Sequence, residues 1–224
     1  MKRAWFYRIL FYALSQVILA AGVTLNTKTV LGVSPIVSMP FSIAQIFGLN
    51  FAWTTFAVYT LLVLLQFPLR GKNRRWSDLL QIPFSLIFSA FLELFDRLFA
   101  FGELLMWQRL VMLAVAIILT AIGAAMMVNM RLVPNPADGL ASAVGDALHR
   151  GMGFGKNVID LISVCITCLI GLIFAHKIIG IGIGTVAAMI LTGRCIALFN
   201  HFCKAKMQQL SGCAEPALPQ RGRF

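Results

Sequence analysis

The chain has 224 residues, of which 59% are hydrophobic and 12% charged, and it carries a formal net charge of +11. Its mean hydropathy is +0.86. Soluble domains are about a quarter charged, so this chain has too little polar surface to cover a soluble globule. Its Lys and Arg gather at the ends of apolar runs, as they do in the cytoplasmic loops of membrane proteins, so no nucleic-acid partner is expected.

The elements follow from apolar runs of about 20 residues, punctuated by charge, proline and glycine. A basic start with Lys2, Arg3 and Arg8 leads into an apolar run too long for a signal-peptide core and without a small-residue cleavage site, so it reads as a retained first span over 5–23. Ser34-Pro35 opens a shorter apolar segment, 36–47, long enough for a half-helix only. Spans follow over 51–69, 79–99 and 107–130. Asn135-Pro136 opens a second short segment, 137–149, and the last two spans are 157–175 and 181–202. The tail 211–224, with its prolines and polar residues, reads as a loose end.

Arg70, Lys72, Arg74, Arg75, Arg131, Arg150, Lys156, Lys204, Lys206, Arg221 and Arg223 share a side with the N-terminal cations. Lys28, Arg97, Arg109 and Lys177 take the other. The excess sets both termini in the cytoplasm, provided the two short segments return to the side they entered from. Trp5 and Trp76 then fall at inner span ends, and Trp53 and Trp107 at outer ends, where indole rings favour the headgroup level.

Sliding the chain against itself by about a hundred residues brings Ser34-Pro35 near Asn135-Pro136 and residues 89–96 near 193–200. Each half reads span, proline-started half-helix, span, span. Three crossings per half place the second half upside down relative to the first. The expected fold is an all-α polytopic bundle of six full transmembrane helices plus two re-entrant half-helices. They form 3+3 inverted-topology repeats over 1–103 and 104–210, with a flexible cytoplasmic tail over 211–224.

Ionisable groups at membrane depth cost several kcal/mol unless paired, which makes them functional candidates. Asp96 lies near the outer end of the third span, where it can face inward in a coupling or ion-pair role, beside Glu93 and Arg97, for which snorkelling to the headgroups is the plainer account. Asp160 and Arg194 lie on apolar helices, where a coupling or ion-pair role fits. Asp138 stands three residues past Asn135, where a capping role competes with binding a solute or proton. Ser34, at the first half-helix start, is the best binding candidate, with Ser38. Gln81 joins them because Pro83 leaves a carbonyl free, and Asn157 completes the substrate-binding set. Gln45, Gln66 and Asn129 read first as interhelical glue.

Cys165 and Cys168 have CxxC spacing, but they lie in an apolar run with no partner pair, so packing accounts for them better than metal or redox chemistry. His149, His176 and His201 sit at different span ends. No metal, no cofactor and no enzymatic constellation is expected. Gly180, Gly182 and Gly184 lack the strand, lysine and soluble domain of a nucleotide loop and read as close helix packing.

Several motifs occur in one order along nearly the whole chain. They are Leu31-Gly32-Val33-Ser34-Pro35-Ile36, Gln66, Leu80-Gln81-Ile82-Pro83 followed by Leu94-Phe95-Asp96, Asp138-Gly139-Leu140, Lys156 with Asp160, and Gly182-Ile183-Gly184-Thr185-Val186 with Gly193. In these the chain resembles the bacterial YitT/YczE-like integral membrane proteins. Its second proline segment, Val133-Pro134-Asn135-Pro136, carries one proline more than that pattern. The resemblance implies a small multi-pass protein of the bacterial inner membrane and names no substrate.

The leading expectation is a secondary transporter that moves a small solute by alternating access, with a proton or sodium ion available for coupling through Asp138 or Asp160. The lipid bilayer is then a partner, and a homodimer is compatible with the sequence. A substrate-binding subunit of a larger transport complex is the second expectation. An accessory scaffold contacted through its inner basic loop is the third.

Overall fold

The structure is a computed structural model that describes residues 2–71 and 76–213. Among these residues every regular element is helical. The helices are α1 (Lys2–Lys28), α2 (Pro35–Phe47), α3 (Phe51–Arg70), α4 (Gln81–Leu98), α5 (Met106–Met130), α6 (Pro136–Ala147), α7 (Met152–Ala175), α8 (Ile183–Phe199) and α9 (Ala205–Ser211). A 3₁₀ turn over Trp76–Leu80 precedes α4, and a π-helical stretch over Asn200–Lys204 joins α8 to α9. Six helical stretches are long and apolar enough to cross a membrane, the last running through Ile183–Ser211.

Local chemistry sets the ends. Pro35 and Pro136 occupy the first turns of α2 and α6, where a missing N–H costs nothing. Asn50 caps α3 by accepting from the N–H groups of Ala52 and Trp53 at 2.9 and 3.2 Å. Asn135 does the same for α6 through Ala137 at 3.0 Å. Gly48 closes α2 in the left-handed conformation, φ 64°, a region glycine enters without strain.

Two elements run past the span limits expected from charge. α1 begins at Lys2 and ends at Lys28, and α7 begins at Met152, because Lys and Arg bound an apolar run without breaking a helix, being good helix formers themselves. At the far end Ser211 and Cys213 are buried, so the packed chain reaches Cys213. The loop cations Lys72, Arg74 and Arg75 and the tail with Arg221 and Arg223 lie outside the described residues.

Between helices in lipid there is little hydrophobic drive, so close backbone approach and hydrogen bonds hold the bundle. The most extensive pairing joins α1 to α5. A Cβ on Gly22 would stand 2.5 Å from the backbone N of Thr120, and one on Gly123 would stand 2.6 Å from the backbone N of Leu19. The two contacts run in opposite directions along the helices, so α1 and α5 are antiparallel. Arg8, early in α1, accordingly donates at 2.8 Å to the carbonyls of Met130 and Arg131 at the end of α5.

The other main pairings are as follows. α2 packs on α7 and α6 on α3; α1 packs on α4 and α5 on α8; α2 packs on α3 and α6 on α7. α3 also packs on α4, but α7 makes no comparable contact with α8. The outer flank of α8 is accordingly bare, with Val186, Met189, Ile190 and Leu198 exposed.

Candidate functional site

Most of the residues singled out in the sequence fall into three neighbourhoods. The first is the start of α6. Asp138 lies in its first turn, where the helix dipole favours a carboxylate, and Lys156 of α7 reaches it at 3.4 Å. Asp160 follows Lys156 by one turn on α7 and is partly buried. The side chains of Gln66 (α3) and Gln81 (α4) pair reciprocally, each amide nitrogen donating to the other's oxygen at 3.1 Å. Both are fully buried, and Gln66 also donates to the carbonyl of Pro136 at 3.3 Å. Gly139 makes room for the pair, since a Cβ there would come within 2.7 Å of both amide oxygens.

The second neighbourhood is the start of α2. Ser38 is buried, bonds the Pro35 carbonyl at 2.6 Å and meets the Thr167 hydroxyl of α7 at 2.8 Å. Ser34 occupies the cap position without a side-chain hydrogen bond and is partly exposed. The approach to α2 is laced to the approach to α8 by two backbone bonds, Val33 N–H to Gly180 at 2.9 Å and Gly184 N–H to Leu31 at 2.8 Å. Glycine is required at this crossing, because a Cβ on Gly182 would lie 2.4 Å from the Leu31 carbonyl.

The third is a cavity of about 640 Å³ where α1, α2 and α4 end and α3 begins, bounded on its far side by the loop from Lys177 to Gly182. Lys28, Asp96, Gln45 and Asn50 line it. Lys28 bridges Asp96 at 2.7 Å, and both side chains are partly exposed. Such a pair contributes about 0–1 kcal/mol, so Lys28→Ala is expected to leave the thermal midpoint nearly unchanged in a detergent melt. Nearby, Glu93 accepts from Arg97 at 2.8 and 3.0 Å and from the Asn50 side chain.

Two residues stand apart. Asn157 is exposed near the start of α7, and Arg194 is exposed on α8 without an ion pair among the described residues. Three contacts were not anticipated: Lys28 with Asp96, Gln66 with Gln81, and Thr167 with Ser38. The signal for each was an uncharged polar or cationic residue in an otherwise apolar run. Among the described residues no group of three His, Cys, Asp or Glu is placed to hold a metal ion.

No curated protein and no solved structure matches the chain. A family model does match, over residues 6–201, from within the first helix to just past α8, and so takes in all three neighbourhoods. The chain therefore belongs to the family of unknown function DUF6198.

Proposed function

We propose that the protein is a secondary transporter for a small solute, built as two inverted repeats, 1–103 and 104–210, that rock against each other. The observation that carries this reading is the exchange symmetry of the packing. The offset that takes Pro35 to Pro136 also takes Gly22 to Gly123, Gly48 to His149, Asn50 to Gly151 and Val30 to Arg131. Gly22 and Gly123 are the two close contacts of the α1–α5 crossing. Gly48 and His149 both adopt positive φ, as do Val30 and Arg131. Asn50 and Gly151 both precede long helices.

Because α1 and α5 are equivalent under this offset and antiparallel, the axis relating the halves lies across the helices, in the membrane plane, as in inverted-repeat carriers. In this reading α2 and α6 are the re-entrant half-helices. Further support comes from the contrast between the two ends. The 640 Å³ cavity lies at the C-terminal end of α1. The opposite end is crossed by Arg8 on the α5 terminus, Tyr12 on the Val133 carbonyl at 2.9 Å and Lys156 on Asp138. Ser34, Ser38, Gln81 and Asp138 then serve the solute, and Asp138 with Asp160 serves a proton or sodium ion. The protein sits in the bacterial inner membrane with both termini cytoplasmic, within the wider YitT/YczE-like group.

The test is flux of a panel of radiolabelled metabolites in proteoliposomes holding this protein alone, with and without a proton or sodium gradient. Gradient-driven flux by the wild type that becomes gradient-independent in Asp160→Asn is the expected result. A second reading, a subunit of a larger transport complex, draws on the bare flank of α8, which leaves room for a helix of another protein. Copurification of a stoichiometric membrane partner, with no flux by the isolated protein, would favour it.

A further inference from the structure

The cavity at the end of α1 has an uneven charge balance. It holds two lysines and one carboxylate, and the carboxylate of Asp96 is already taken by Lys28. Lys177 forms no ion pair among the described residues. The chain that follows Lys177 around the rim adds donors: the backbone N–H groups of Ile178, Ile179, Gly180 and Ile181 bond no protein acceptor among the described residues. A cation beside a run of free N–H groups is the arrangement that holds an anion. Phe41, Phe51, Leu31 and Leu49 give the wall an apolar portion beside the polar Thr27, Gln45 and Asn50. Its volume falls in the range of sites that enclose a small organic molecule.

From this we infer that the cavity binds an organic monoanion with an apolar body, the negative group at Lys177 and the 178–181 backbone and the apolar part against Phe41 and Phe51. The inference rests on the carrier reading for its physiological sense, with the cavity, which Ser34, Ser38, Gln81 and Asp138 do not line, as an entry site for the solute, and it supplies the substrate class that reading leaves open. The same chemistry is offered by a free carboxylate and by the head of an anionic lipid.

Binding is measured directly, without transport, on the full chain in nanodiscs of zwitterionic lipid, using benzoate, hexanoate and indole-3-acetate, each beside its neutral amide. At least one carboxylate is expected to bind while its amide does not. Lys177→Gln is expected to weaken that binding by roughly tenfold, and Lys177→Arg to restore most of it. Lys177 is exposed and without an ion pair, so these variants are expected to fold like the wild type. Loss of carboxylate binding when phosphatidylglycerol is added to the nanodisc assigns the anion to the bilayer, and binding that persists assigns it to a soluble solute. Equal binding of acid and amide, no binding of any probe, or affinity unchanged in Lys177→Gln would overturn the inference. Gradient-driven flux of neutral solutes that Lys177→Gln leaves unaltered would also overturn it while the carrier reading stood. Carboxylate binding without flux of any solute would do the reverse.

Discussion

Gly123→Ala is expected to lower the thermal midpoint of the purified protein by roughly 2–12 °C, the range that follows from about 1–3 kcal/mol of overpacking in a chain of this size. The added methyl would meet the backbone of Leu19, which cannot rotate away as a side chain can. Relief requires α1 and α5 to separate. Gly22→Ala, which meets the Thr120 backbone, is expected to behave alike. Gly193→Ala is the control, since a Cβ there touches nothing and the midpoint should hold or rise slightly. Equal melting of all three would mean that the crossing is looser than the geometry implies.

The second large effect concerns the amide pair. Gln81→Met keeps the size of the side chain but leaves the Gln66 oxygen without its donor in a fully buried place, at a cost of about 1–3 kcal/mol. Gln66→Met strands Gln81 in the same way. The double variant removes both stranded groups, so its loss should fall short of the sum of the singles by roughly 0.6–1.7 kcal/mol, the range of measured hydrogen-bond couplings between membrane helices. Thermal melts of the four proteins complete the cycle, and strict additivity would mean that the amides are satisfied elsewhere.

Six spans and two proline-started short helices could be read from the sequence because apolar length, proline and charge are local properties. The pairing of helices could not. Gln66 and Gln81 stood out as polar residues in apolar runs, but nothing in their types says that they meet each other and Gly139. Lys28 looked like an ordinary interfacial cation until α4 brought Asp96 to it. The proposed repeat rests on the two prolines, whereas the likeness of 89–96 to 193–200 sets α4 against α8 about one turn out of the register that their helix limits give. Apolar helices resemble themselves after a one-turn slide, so sequence similarity fixes their register poorly. Arg194 and Asn157 illustrate the converse, polar residues in apolar runs that stay exposed.

The partnership of α1 with α5 has a consequence for how the protein is made. At about 5–20 residues per second, α1 leaves the ribosome roughly 5–20 s before α5 does. Until then Gln16, Thr24 and Asn26, buried in the finished protein, lack the helix that covers α1 most extensively, α4 alone among its main partners arriving sooner. The newborn first segment therefore stays incompletely packed until α5 emerges. A ribosome stalled after the first half would release a chain whose first helix lacks its principal partner.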